Sequence, residues 1–299
     1  MHRVAVLCGP GLGDSLVQMV VAHNLLRSGY EVTVFSNVIH ALARWFPGYT
    51  IYAQLKPREM KLLSTYNKVF APRPLPLCSY SFLASQWVNY TKLFVRNTTY
   101  AANAALVCKK LLNVMEATEE TGILPPKDLQ LRKHWRRVVI QPTSSEDFKN
   151  WPLEKFLRLA DQLQHKGFLP NFALSLQEWE QWSLRINGHF PVRRFLSLDE
   201  FASFLFESGY MVANDSGGGH LSSSLRIPTL SLHGRSRKAR AWRPAWGLVK
   251  VVTPTVNLVG IHLRRRFWRY FLSVNKVAQA FEELDRRASA LSHEIRAVH

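Results

Sequence analysis

Tyr210-Met211-Val212-Ala213-Asn214-Asp215-Ser216-Gly217-Gly218-Gly219-His220-Leu221 runs from an apolar stretch through a glycine turn into an amphipathic stretch. That order predicts strand, turn and helix, one half of an α/β unit. A turn of this kind leaves the N–H groups of a helix N-terminus pointing outward, where an anion binds. Gly217, Gly218 and Gly219 permit close backbone approach to such a ligand. Asp215 is the last acid before Glu282, and twelve Lys or Arg residues lie between them. A carboxylate at the edge of so positive a region either organises a ligand or caps a helix. His220, expected one residue into the helix, is either a packing residue or a charge-assisted donor to the anion.

Outward from this turn, apolar runs alternate with helical periodicity. Strands are expected over 3–8, 31–35, 50–53 and 68–71, with helices over 15–27 and 40–46. The stretch 72–100, opened by Pro72, Pro74 and Pro76, reads as a loop or small excursion near a site, and 100–119 as a long helix. Residues 122–128, with Pro125 and Pro126, suit a linker. The alternation then restarts. Strands are expected over 137–141, 172–176, 210–214 and 229–233. Helices are expected over 153–166 (with Pro152 at the first position), 178–186 and 199–207, and a last one over 274–287. Such alternation argues for parallel sheets covered by helices, and two successive series argue for two Rossmann-like domains.

The net charge of +18 is the strongest compositional fact. It implies an anionic partner: nucleic acid, an anionic membrane surface or a phosphorylated substrate. The charge is clustered. Residues 60–115 hold seven Lys or Arg and no acid, and Arg264-Arg265-Arg266-Phe267-Trp268-Arg269-Tyr270-Phe271 interleaves arginine with aromatics. No apolar stretch approaches the length of a bilayer span. The N-terminus suits a first strand better than a signal peptide. Cys8, Cys78 and Cys108 are odd in number, without metal-like spacing, which fits a reduced cytosolic protein.

Other turns also carry candidate chemistry. Gly9-Pro10-Gly11-Leu12-Gly13-Asp14 follows the first strand but does not complete a dinucleotide fingerprint, because Asp14 stands where a glycine is needed. It places Asp14 at the carboxyl end of a strand, where open α/β sheets bind ligands. Capping of the helix expected at Ser15 is an equal reading. Thr143, Ser144 and Lys149, in the polar loop after the strand at 137–141, suit a diphosphate, although an ordinary connecting loop fits the spacing too. His233-Gly234-Arg235-Ser236-Arg237-Lys238-Ala239-Arg240 is a fourth, basic turn. There is no P-loop and no Gly-x-Ser-x-Gly elbow. Nothing visible requires a metal.

Taken in order, four segments resemble the ADP-heptose:lipopolysaccharide heptosyltransferases, glycosyltransferase family nine. Gly11-Leu12-Gly13-Asp14-Ser15-Leu16 resembles the family's N-terminal Gly-Asp turn. Phe148-Lys149-Asn150-Trp151-Pro152 resembles its Lys-x-Trp-Pro segment, and Asp215-Ser216-Gly217 through His220-Leu221 its Asp-[Ser/Thr]-Gly-x-x-His-Leu signature. Pro228 to Gly234, followed by Trp242-Arg243-Pro244, resembles its closing strand and loop. Two departures stand out. Gly218 replaces a frequent proline, and Ser236-Arg237-Lys238 replaces Thr-Asp-Pro.

The resemblance implies a GT-B architecture: two Rossmann-like α/β domains facing a central cleft. The acceptor domain would span 1–125, the nucleotide-sugar domain 134–262, and a helical segment 263–299. It implies inverting transfer, without metal or cofactor, from a nucleoside-diphosphate sugar such as ADP-heptose to a lipopolysaccharide core or other anionic glycan. Asp14 would be the general base, with Gly11 and Gly13 on the acceptor side. Lys149 would be catalytic too, stabilising charge on the leaving diphosphate, while Thr143, Ser144, His220 and the Ser216–Gly219 amides beside Asp215 would bind the donor. Glu178 would contact the ribose. The basic charge would draw the protein to the cytoplasmic face of the inner membrane as a peripheral protein.

Two other classes compete. One is a catalytically silent GT-B-like module that binds nucleotide-sugar or anionic glycan. The other is a nucleic-acid binder, disfavoured because no reader motif is present.

Overall fold

The computed structural model describes residues 2–112, 116–234, 241–255 and 267–297. The chain divides into two compact units, Met1–Pro126 and Lys127–His299.

The first unit is built on five parallel strands: β1 (Arg3–Leu7), β2 (Glu31–Phe35), β3 (Thr50–Tyr52), β4 (Lys68–Ala71) and β5 (Trp87–Asn89). Their order in the sheet is β3-β2-β1-β4-β5. Helix α1 (Leu12–Arg27) follows β1 and is buried on most of its surface, with Leu16, Met19, Val20 and Leu25 in the core. A helix apolar on so many sides must be covered on both, and α4 (Tyr100–Leu112) packs against it.

Several expectations for this unit are corrected. The helix foreseen over 40–46 is instead α2 (Asn37–His40), capped by Ser36, followed by a single 3-10 turn at Ala43–Trp45. The stretch 72–100 contains α3 (Leu77–Tyr80) and the edge strand β5, which at three residues is too short to show a period. The helix foreseen to 119 is shorter, and residues 116–119 are irregular. Thr118 instead pairs both its backbone groups with the Asn24 side chain, at 2.9 and 2.8 Å.

Six parallel strands form the second sheet: β6 (His134–Gln141), β7 (Leu169–Ser175), β8 (Val192–Phe195), β9 (Ser208–Asn214), β10 (Thr229–Leu232) and β11 (Val249–Val252). Their order is β11-β10-β9-β6-β7-β8. The helices are α5 (Leu153–His165), α6 (Leu176–Ile186), α7 (Leu198–Phe206), α8 (Gly217–Ser224) and α9 (Val274–Ala297). Pro152 is the N-cap of α5, not its first residue. The edge strands β8 and β11 escaped sequence reading because each has only four residues, too few to show a period.

Helix α5 lays Phe156, Leu159 and Leu163 into the core. Each such side chain stabilises the fold by about 1.5–3 kcal/mol relative to exposure. Helix α9 packs on α5, β10 and β11, so the C-terminal segment is part of this unit. Among the described residues no helix is long and apolar enough to cross a membrane.

Strand order reverses between β1 and β4 in the first sheet, and between β6 and β9 in the second. Ligands of open α/β sheets bind at such reversals, outside the carboxyl ends of the strands.

Candidate functional site

In the second unit the reversal brings two loops together. Gln141 ends β6 beside Ala213 of β9. Asn214, fully buried, closes β9. Its Oδ1 accepts from Trp151 N at 3.0 Å, and its Nδ2 donates to Pro142 O at 2.8 Å. One side chain thus pins both ends of the 142–151 loop to the glycine turn. Trp151 Nε1 donates to Leu272 O, and Trp268 Nε1 to Phe148 O, fastening the same loop from α9's side. Neither Asn214's role nor these tryptophan anchors follow from spacing in the sequence.

Within that loop, Thr143 is 3% exposed and its hydroxyl has no partner among the described residues. A buried donor left unmet is costly, and a ligand oxygen or a water would satisfy it. Ser144 Oγ donates to Asn150 Oδ1 at 2.7 Å. Lys149 is mostly buried and ion-paired with Glu146 at 2.8 Å, so an incoming anion must compete with that carboxylate.

At the glycine turn, Ser216 holds the N-cap position of α8 in an extended conformation. Asp215 therefore precedes the cap. Ser216 Oγ donates to Gln141 Oε1 at 3.1 Å. A Cβ at Gly218 would come 2.1 Å from the same Gln141 oxygen, whereas one at Gly219 would meet nothing closer than 3.7 Å. A side chain at 218 would therefore have to displace the Gln141 amide, a neighbour from β6, beside the ligand approach foreseen for the glycine run.

His220 is the fourth residue of α8, not the first, and is 3% exposed. Burial pushes its pKa down to about 4, opposed by Asp215 and assisted by His233. The imidazole is neutral at physiological pH. The charge-assisted bond expected of it is not available in this state, and a neutral N–H is what it can offer. Its ring lies 5.3 Å from that of Trp242. Glu178 stands at the carboxyl end of β7 but is engaged in the capping box of α6, accepting from Ser175 N at 2.7 Å. The basic turn 235–240 lies outside the described residues, as do 264–266 of the arginine–aromatic run.

The other candidate edge belongs to the first unit. Helix α1 starts at Leu12 with Gly11 as N-cap, so Asp14 sits inside the first turn and not at the cap position. The alternative that Asp14 merely caps a helix at Ser15 is thereby removed. Its side chain is exposed and folds back over Gly11. The turn is braced from within α1. Ser15 Oγ donates to Gly9 O at 2.9 Å, and Gln18 Oε1 accepts from Gly9 N at 2.7 Å. Tyr90 is buried beside Gln18. Burial, first of all, raises its pKa well above the usual tyrosine value, and the charges of Cys8, Cys108 and Asp14 add to the rise. Cys8 and Cys108 are buried free thiols, each pushed up to about 12 by burial.

The family model for glycosyltransferase family 9 (heptosyltransferase) matches residues 89–254, more than half of the chain. The chain belongs to this family. A relative, lipopolysaccharide heptosyltransferase 3 of Escherichia coli K12, is 25% identical over 131 residues. That alignment covers 39% of this chain and 35% of the relative, so the match spans about a third of the relative's length. Among solved structures, the family-9 transferase of Veillonella parvula aligns over 95% of this chain and 97% of its own, with TM-score 0.74 and 16% identity. E. coli ADP-heptose lps heptosyltransferase II aligns over 94% and 98%, with TM-score 0.71 and 14% identity. These likenesses fix the two-domain, parallel-sheet GT-B class of this family-9 chain. Among its described residues, no three or more His, Cys, Asp or Glu side chains group as metal ligands would.

Proposed function

We propose that this family-9 chain is an inverting, metal-independent glycosyltransferase that moves a heptose from an ADP-activated donor to a hydroxyl of a lipopolysaccharide core. In this reading Asp14 takes the proton of the acceptor hydroxyl as that oxygen attacks the anomeric carbon. The bond from that carbon to the diphosphate oxygen breaks, and the nucleoside diphosphate leaves with the electron pair. Alignment of the two sugars and the base's proton uptake supply the rate.

Charge developing on the leaving diphosphate is met by the α8 N-terminus, the Ser216–Gly219 amides, the Thr143 hydroxyl, Ser144 and Lys149. His220 contributes a neutral N–H, and Asp215 orders the turn. Glu178 reaches the ribose by giving up part of its capping role. Gly11 borders the acceptor side and leaves room for the Asp14 carboxylate, while Gly13 lies buried in the first turn of α1. The named relatives support the donor and acceptor class, since their names specify heptose, ADP-heptose and lipopolysaccharide. An anionic core built at the cytoplasmic membrane face accounts for the charge of +18.

The observation that carries the reading is the exposed Asp14 carboxylate at the strand-order reversal of the first sheet, in a family-9 chain. Calorimetric titration with ADP, GDP and UDP, in the presence of a chelator, tests it. Micromolar binding of ADP alone, weakened in Asp215→Ala, is expected. Preference for another base would overturn the donor assignment, and a need for metal would overturn the metal-independent chemistry.

A further inference from the structure

From Lys61 to Met115 the sequence holds seven Lys or Arg and no Asp or Glu. The structure shows that the last part of this run is also unusually apolar at its surface. Leu93, Val95 and Leu106 are 43%, 48% and 44% exposed. Lys92, Arg96, Lys109 and Lys110 are exposed among them.

These residues belong to one packed piece. Asn103 of α4 accepts from Val95 N at 2.8 Å and donates to Val95 O and Thr98 O. Phe94 packs edge-on against Tyr100 at 5.5 Å. The 92–100 segment is therefore fixed on the N-terminal half of α4. Ala102, Leu106, Lys109 and Lys110 fall on the helix stripe facing away from α1, while Ala101, Ala104, Ala105 and Cys108 are buried.

Placement adds the second argument. The first sheet is fully parallel, so the chain leaving β5 at Asn89 emerges at the same edge as the turn that follows β1. Tyr90, the first residue after β5, is close enough to Asp14 to feel its charge. The apolar and cationic segment thus borders the edge that carries the proposed base.

We infer that the face formed by residues 92–111 docks on an anionic lipid bilayer and holds the Asp14 edge against it. The occupant is a bilayer because cations interleaved with exposed Leu, Val and Tyr, without any acid, match the interfacial zone, where headgroups take the charge and the acyl boundary takes the apolar side chains. An acceptor anchored in that bilayer would then present its sugars to Asp14 without leaving the membrane. The inference rests on the proposed function only for what the bilayer delivers; the docking itself does not require transfer.

Vesicle flotation at ~0.1 M salt, where charges act over about 10 Å, tests it. Vesicles contain phosphatidylglycerol with phosphatidylcholine, or phosphatidylcholine alone. Lys109→Glu/Lys110→Glu is compared with Arg286→Glu/Arg287→Glu on α9, an equal change of net charge. We expect the first pair to weaken binding to anionic vesicles at least about thirtyfold, at roughly fivefold per cation lost with repulsion of the added carboxylates in addition, and the second pair less than threefold. Leu93→Ser/Leu106→Ser should lose several-fold while keeping the charge. Binding of ADP, and transfer to a detergent-dispersed acceptor, should be unchanged in the α4 pair, which separates docking from folding and from catalysis.

Equal weakening by both charge pairs, equal binding to neutral vesicles, or binding of RNA in place of vesicles would overturn the docking face. Absence of transfer to the dispersed acceptor by the wild type would instead overturn the proposed function and leave the docking result standing.

Discussion

The Asp14 carboxylate occupies the space above Gly11 that a side chain would fill: a Cβ at Gly11 would lie 2.6 Å from Asp14 Oδ2. Gly11 has φ −81°, open to any residue, so its backbone does not demand glycine. The carboxylate's position does. Gly11→Ala should move that oxygen without unfolding α1. A displacement of this size costs catalysis about 10–100-fold. The expected result is a lower kcat, donor affinity within twofold of wild type and an unchanged melting temperature. A kcat equal to wild type would mean that the carboxylate's seat over Gly11 does not matter to transfer.

Asn214 predicts a joint loss of stability and donor binding. Asn214→Leu leaves the Trp151 N–H and the Pro142 carbonyl without their partner in a fully buried place. Each unmet group costs about 1–3 kcal/mol. Denaturant unfolding should show a loss on the order of 2–5 kcal/mol, and nucleotide titration at least a tenfold weaker Kd. Stability lost with affinity intact would show that the 142–151 loop is not part of the donor site.

Two adjacent glycines of α8 should behave in opposite ways. At Gly218 a methyl collides with Gln141 Oε1, the oxygen that also receives the Ser216 hydroxyl. Gly218→Ala should lower the melting temperature and weaken nucleotide binding. Gly219→Ala meets only ordinary contacts and removes a flexible residue from a helix, a change that stabilises by about 0.5–1 kcal/mol. Thermal melts of the two variants, with and without ADP, separate the predictions. Equal destabilisation would refute the steric account.

His220 sets an acid limb to stability. Its pKa is lowered from 6.5 to about 4 in the fold. Between these values the unfolded chain binds a proton that the folded chain does not, so unfolding becomes easier as pH falls from 6.5 towards 4. The full effect, on the order of 3 kcal/mol, is reached below pH 4. Melting temperature followed from pH 7.5 to 4.5 should fall less steeply in His220→Asn than in the wild type. Parallel curves would mean that another group carries the acid sensitivity.

Much of the architecture could be read from the sequence because long or fully buried elements advertise themselves. The seven residues of β9 are all buried and nearly all apolar up to Asn214, and α5 has a clear apolar stripe. What could not be read was short, exposed or tertiary. The edge strands β5, β8 and β11 have three or four residues each, too few for a period. Helix α8 begins inside the glycine run, against glycine's low helix propensity, so His220 was expected at the helix start and exposed to an anion. The partners of Asn214 and the obstacle at Gly218 come from β6 and the loop after it, more than sixty residues away in the chain, and no local spacing reveals them.

The central claim is that Asp14 is the base, and single-turnover transfer by Asp14→Asn tests it most directly. The substitution keeps size and removes the proton acceptor. General-base assistance contributes about 10²–10⁴-fold, so transfer from ADP-heptose to a lipopolysaccharide core acceptor should fall by that factor while ADP affinity stays at the wild-type value. Transfer at the wild-type rate, with ADP binding intact, would contradict the account and remove Asp14 from the chemistry.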